Sequence, residues 1–177
     1  CYGREILEIV SKEQNIAVEE IDRYEETVTN SFLYTLYVLS KVQSGNPEVL
    51  TKDGHIFLAE QAVIERLASQ GAAIFLGHCA SEALKDRKGV LRVFIRSNSA
   101  DKAERVMQDY GVPKEDAEAT MKRYDKKRAN YFYANTAKKW SDAENYHLVL
   151  DSGKLGIDGC VATLKGIYDS GRNQDDV

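Results

Sequence analysis

The run YHLVLDS at 146–152 is short, apolar and closed by Asp151-Ser152, and it reads as a buried strand. Two other runs share its build: AAIFLG at 72–77, closed by Gly77, and LRVFIRS at 91–97, closed by Ser97. Segments of helical character separate or follow them, at 99–110 (SADKAERVMQDY), 114–135 (KEDAEATMKRYDKKRANYFYAN) and 158–169. Strands alternating with helices predict an α/β fold with a parallel sheet, because parallel neighbours need a long crossover between them. Ligands of such sheets sit beyond the carboxyl ends of the strands. Gly77-His78-Cys79, Arg96-Ser97-Asn98 and Asp151-Ser152 occupy those ends. Three strands make a thin sheet where about five are usual, so more strand is expected, with the region before Cys1 as its place.

Working outward, residues 55–70 (HIFLAEQAVIERLASQ) carry Ile56, Leu58, Ala59, Ala62, Val63 and Leu67 on a helical period, and Gly71 ends the helix. The turn-rich stretch 44–54 (SGNPEVLTKDG) reads as a loop. Residues 31–43 (SFLYTLYVLSKVQ) are apolar and aromatic, which predicts a packed core helix or a homodimer contact. Residues 7–26 read as one or two polar helices.

The 177 residues suit one domain with a sizeable core, and the net charge of -4 argues against nucleic acid as the main partner. No apolar run approaches the roughly 18 residues of a membrane span, and no membrane partner is expected. Cys1, Cys79 and Cys160 form neither a CxxC pair nor a metal-spaced cluster. They read as reduced structural thiols, which favours a cytoplasmic location.

Three features carry chemistry. Tyr2-Gly3-Arg4-Glu5 places a glycine and a cation together, as a phosphate loop does; the plain alternative is a frayed terminus. The tract KRYDKKRANYFYANTAKKW at 122–140 holds Lys122, Arg123, Lys126, Lys127, Arg128, Lys138 and Lys139 against one acid, Asp125. On a helix Arg123 shares a face with Lys127, and Lys126 with Asn130. Five aromatics (Tyr124, Tyr131, Phe132, Tyr133 and Trp140) interleave with the cations. The tract suits a phosphate clamp, a solvated helix face, or a base-stacking nucleic-acid site. Asp151 is either a ligand-facing carboxylate or a turn cap before Gly153 and Gly156.

The order GRE, AAIFLGHCA, VLRVFIRS, AERV, DKKRANYFYANTAKKW and NYHLVLDSGKLGIDG resembles the cytidylate kinase-like family of bacterial proteins, related to the cytidylate kinases among the P-loop nucleoside monophosphate kinases. The resemblance covers 55–169 well. It implies a P-loop NTPase-like parallel sheet flanked by helices, with a helical lid at about 112–142 and an acceptor-side helical insert at about 20–54, all within one domain over 1–177. It also implies that Gly3 and Arg4, followed by Glu5, end the loop that holds ATP. Arg123, Asp125, Lys126 and Arg128 match the lid motif that grips phosphates, and Arg105 matches the arginine of the helix leading into the lid. Asp151 matches the acid near the monophosphate. His78 stands where cytidylate kinases carry an arginine, and Cys79 where they carry an acid. Histidine lacks the bidentate fork of arginine. The first strand and most of the loop are absent, and the short run from GRE into the next helix suggests missing residues at Ile6-Leu7.

The expected activity is Mg²⁺-assisted phosphoryl transfer from ATP to a nucleoside monophosphate such as CMP. Arg4, Arg123, Lys126 and Arg128 would neutralise phosphate charge, with Arg105 on the ATP side. His78, Asp125 and Asp151 would face the acceptor. The rival readings are a nucleotide sensor with little or no turnover, motivated by His78, and a nucleic-acid binder using 122–140.

Overall fold

The computed structural model describes residues 1–21, 23 and 52–175. The apolar 31–43 stretch and most of the 20–54 insert lie outside the described residues. The chain divides into two compact units, Cys1–Val90 with Asp125–Asn145, and Leu91–Tyr124 with Tyr146–Val177. The 112–142 segment expected as a lid is therefore shared, divided after Tyr124.

The first unit holds the main hydrophobic core. Helix α1 (Glu5–Gln14) buries Ile6, Leu7 and Val10 on one face, the i, i+1, i+4 pattern of an amphipathic helix. It ends where Asn15 turns left-handed at φ 54 and its N–H returns to the Ser11 carbonyl. Residues 18–21 are again helical, and Ile21 is fully buried. Helix α2 (Lys52–Ser69) buries Ile56, Phe57, Glu60, Val63, Ile64, Leu67 and Ala68, one continuous stripe against α1. Arg66 of α2 donates to both carboxylate oxygens of Glu13, at 3.2 and 2.5 Å. The short helix α3 (Ala80–Ala83) follows. Its Glu82 accepts hydrogen bonds from Lys138 at 2.7 Å and Lys85 at 2.9 Å.

The backbone runs through Ile6-Leu7 as the interior of α1, and both side chains are buried in the same core. One strand expectation is corrected here. The 72–77 run does not form a full strand: only Phe75 bridges in parallel, to Tyr2. Tyr2 N–H donates to the Ile74 carbonyl at 2.7 Å and Leu76 N–H to the Tyr2 carbonyl at 2.8 Å. The two rings stack at 5.5 Å.

In the second unit, β1 (Val93–Arg96) pairs in parallel with β2 (Leu148–Asp151), with Val93 opposite Leu148 and Arg96 opposite Asp151. Among the described residues the sheet thus has two strands, not three. Ile95 and Val149 stay 47% and 38% exposed, unlike the covered faces usual for parallel sheets. Helix α4 (Ser99–Tyr110) is stopped by Gly111 at φ 63. Helix α5 (Lys114–Thr136) passes from the second unit into the first, where it buries Tyr131, Phe132 and Ala134. Helix α6 (Ser152–Asp175) starts six residues earlier than 158–169 suggests and breaks at Gly156, φ 68. The segments 99–110 and 114–135 match α4 and α5 closely, and α2 begins inside the stretch read as a loop.

Candidate functional site

At the carboxyl ends of β1 and β2 the second unit gathers a polar cluster. Asp151 ends β2 and splits its two oxygens. Oδ1 accepts from the Gly153 and Lys154 N–H groups at 3.1 and 3.3 Å, capping α6, and Oδ2 accepts from Arg96 of β1 at 3.2 Å. Register explains the pair, since Arg96 and Asp151 are directly opposite. Ser152 Oγ donates to the Arg96 carbonyl at 3.2 Å and accepts from Arg105 of α4 at 3.4 Å. Asn98 caps α4: its Oδ1 accepts from Asp101 N–H at 2.9 Å, and its Nδ2 donates to Asp101 Oδ2 at 2.6 Å. Ser97 Oγ also donates to Asp101 Oδ2, at 3.3 Å. Gly153 is required where α6 meets this cap, because an added Cβ would lie 1.9 Å from Asp101 Oδ2 and 2.6 Å from Ser97 Oγ.

The first unit builds a second feature at the end of the 72–77 run. Gly77, His78 and Cys79 are all left-handed, at φ 78, 52 and 53. Glycine adopts this freely, but each other residue costs on the order of 1 kcal/mol or more, and such strain persists only where the surroundings hold it. Gln61 of α2 donates to the His78 carbonyl at 3.1 Å. Ala80 N–H donates to the Gly77 carbonyl at 3.0 Å, and the Cys79 carbonyl accepts the first bonds of α3. The Cys79 side chain is buried in the core, and His78 is half-buried.

Gly3 lies in this unit as well, in the two-residue connection between Tyr2 and α1. Its N–H donates to Glu5 Oε2 at 2.8 Å, and that bond, with one from the Glu5 N–H, holds the Glu5 carboxyl below its ordinary value. The amide read as facing a phosphate is therefore bound to the chain's own carboxylate. Arg4 is exposed at the start of α1.

The lid cations lie on α5. Arg128 pairs with Asp125 at 3.3 Å and is mostly exposed. Arg123 sits over the Tyr124 ring at 5.3 Å, and Lys126 is exposed. Arg105 and Asp151 thus share the strand-end cluster of the second unit, which also contains Arg123. Gly3, Arg4, Glu5, His78, Asp125, Lys126 and Arg128 belong to the first.

Sequence reasoning missed Asp101, Gly153 and Gln61. Asn98-Ser99-Ala100-Asp101 has the spacing of a capping box, a signal for the first; Gln61 had none. Among the described residues no group of three or more His, Cys, Asp or Glu side chains could hold a metal ion, and no helix is long and apolar enough to cross a membrane. The three cysteines are free thiols, with Cys79 and Cys160 buried.

Residues 1–154 match the model of the cytidylate kinase-like family. A solved structure of an uncharacterized protein from Eubacterium ventriosum ATCC 27560 is similar, with a TM-score of 0.62 and 29% identity over 67% of this chain and 75% of that one. No curated protein matches the chain.

Proposed function

We propose that this chain, which belongs to the cytidylate kinase-like family, transfers a phosphoryl group from ATP to a nucleoside monophosphate. The observation that carries the reading is the cluster of Arg96, Arg105, Ser152 and Asp151 at the carboxyl ends of a parallel strand pair, the position where α/β sheets bind ligands. Phosphoryl transfer asks little covalent chemistry of a protein. It needs alignment of donor and acceptor, neutralised charge and excluded water.

In this reading Asp151 hydrogen-bonds the acceptor nucleotide, and Arg96 and Arg105 offset phosphate charge beside it. Arg123, Lys126 and Arg128 are exposed on α5 and supply cations for phosphate. In the first unit His78, in place of an arginine, offers a nucleotide a single hydrogen bond. Gly3 and Arg4 stay proposals for the donor-phosphate side; with the Gly3 amide bound to Glu5, no step is assigned to them. Mg²⁺ in this reading is carried on the phosphates of ATP, where it commonly needs only one or two protein carboxylates. When bound it would neutralise charge on the β- and γ-oxygens.

The occupied Gly3 amide and the His78 turn favour one rival, a nucleotide sensor without turnover. A coupled assay with ATP, Mg²⁺ and a panel of monophosphates separates the two. Saturable turnover with one monophosphate is the expected result. A nucleotide-dependent rise in melting temperature without turnover would favour the sensor. Arg128→Ala should lower transfer about 10²-fold or more, as removal of one charge-stabilising donor does, and leave melting unchanged. Full turnover in that variant would remove Arg128 from the mechanism.

A further inference from the structure

We infer that Gln61 is a positioning residue for His78, acting through the left-handed turn Gly77-His78-Cys79; the inference rests on the kinase reading above, in which His78 touches a nucleotide. Three consecutive residues with positive φ, two of them not glycine, have an intrinsic tendency to relax to right-handed or extended backbone. The turn is anchored on both flanks. Upstream, Leu76 N–H is bonded to the Tyr2 carbonyl; downstream, Cys79 begins α3 with its side chain in the core.

At the middle residue, His78, the side chain that reaches the backbone is Gln61, whose Nε2 donates to the His78 carbonyl at 3.1 Å. Gln61 is 17 residues away in sequence and sits on α2, a helix fixed by the buried stripe from Ile56 to Ala68. The bond therefore ties the direction of the His78 peptide to a helix packed into the core of the first unit. Where the peptide points decides where the imidazole points, because φ and ψ set the Cα–Cβ direction. Gln61 thus sets the position of His78 without itself reaching the substrate.

The test uses Gln61→Met, which keeps the length and removes the donor, and Gln61→Lys, which restores one. Gln61 is half-exposed, so both variants should fold, with helical content as the check. Losing one neutral hydrogen bond shifts a local equilibrium by about fivefold. With CMP as the probe, Gln61→Met should raise the KM for CMP about fivefold. kcat and the KM for ATP should stay within twofold, and Gln61→Lys should recover most of the loss. A CMP KM within twofold of the parent in Gln61→Met, or an equal loss in both variants, overturns the inference.

A second readout needs no ligand. In a chain whose Cys1 and Cys160 are replaced by Ser, Cys79 should be alkylated about fivefold faster when Gln61 is Met, since labelling follows opening of the turn. If the parent turns over no monophosphate, the kinase reading fails by itself. Gln61 is then judged on Cys79: faster labelling supports its hold on the turn, and an unchanged rate overturns it.

Discussion

Gly153→Ala tests whether the strand-end cluster is packed as tightly as it looks. In an uncrowded helix the change stabilises by about 0.5–1 kcal/mol, because glycine loses more backbone entropy on folding. Here the new methyl would sit 1.9 Å from Asp101 Oδ2 and 2.6 Å from Ser97 Oγ. The serine can rotate, but Asp101 must swing away and surrender its bonds from Asn98 at 2.6 Å and Ser97 at 3.3 Å. Two bonds to a half-exposed carboxylate are worth about 2 kcal/mol together, so the net change is a loss of about 1–1.5 kcal/mol. For a chain of this length that is roughly 3–5 °C in melting temperature. Calorimetry on the single variant, on Asp101→Ala and on the double variant isolates the term. In the Asp101→Ala background the same methyl should be neutral or stabilising. A Gly153→Ala protein at least as stable as its parent, or an equal penalty in both backgrounds, would refute the packing argument.

Three further substitutions probe the first unit. Tyr131 donates to the fully buried Glu60 at 2.5 Å; Tyr131→Phe should cost about 1–3 kcal/mol, and Glu60→Gln, which keeps an acceptor, should cost less. A pair of urea curves in the reverse order would contradict this. Burial raises the Glu82 carboxyl, but hydrogen bonds from Lys138 and Lys85 outweigh it and leave the group below its ordinary value of 4.5. A depressed carboxylate stabilises above its unfolded value, and the contribution disappears as pH falls from about 4.5 through the lower folded value. Lys138→Met should therefore be less stable than the parent near neutrality and converge with it in acid. A difference that persists unchanged through the acid range would rule out the ion pair as its source.

What was legible in the sequence was the local part. Apolar period and polar punctuation place α2, α4, α5, β1 and β2 within a few residues, because each element is decided by its own stripe, cap or breaker. The Asn98 cap and the Gly111 stop of α4 are examples. The 72–77 run shows the limit. It has a strand's composition, but strand formation needs a partner, and among the described residues only Tyr2 bridges to Phe75. The bond between the Gly3 amide and the Glu5 carboxylate was not legible for a related reason: residue types give a loop's potential, and whether an amide is already bound depends on where the next helix starts. Gln61 was invisible because the turn it holds is 17 residues away and its backbone angles leave no trace in composition.

The two readings of Asp151, cap and ligand, turn out to be compatible because a carboxylate has two oxygens. Oδ1 is committed to the first amides of α6, and removing it would leave orphan N–H groups at a helix start. Among the described residues Oδ2 is held only by Arg96, whose side chain is 62% exposed. An ion pair so placed is worth about 0–1 kcal/mol, less than a phosphate or a sugar hydroxyl can supply in its place. A nucleotide that draws Arg96 onto a phosphate frees Oδ2 at little cost, while the cap keeps the carboxylate in position. The residue can thus hold the fold with one atom and exchange partners with the other. In the proposed kinase reading, that division is what would let a structural turn at the end of β2 serve as a binding group.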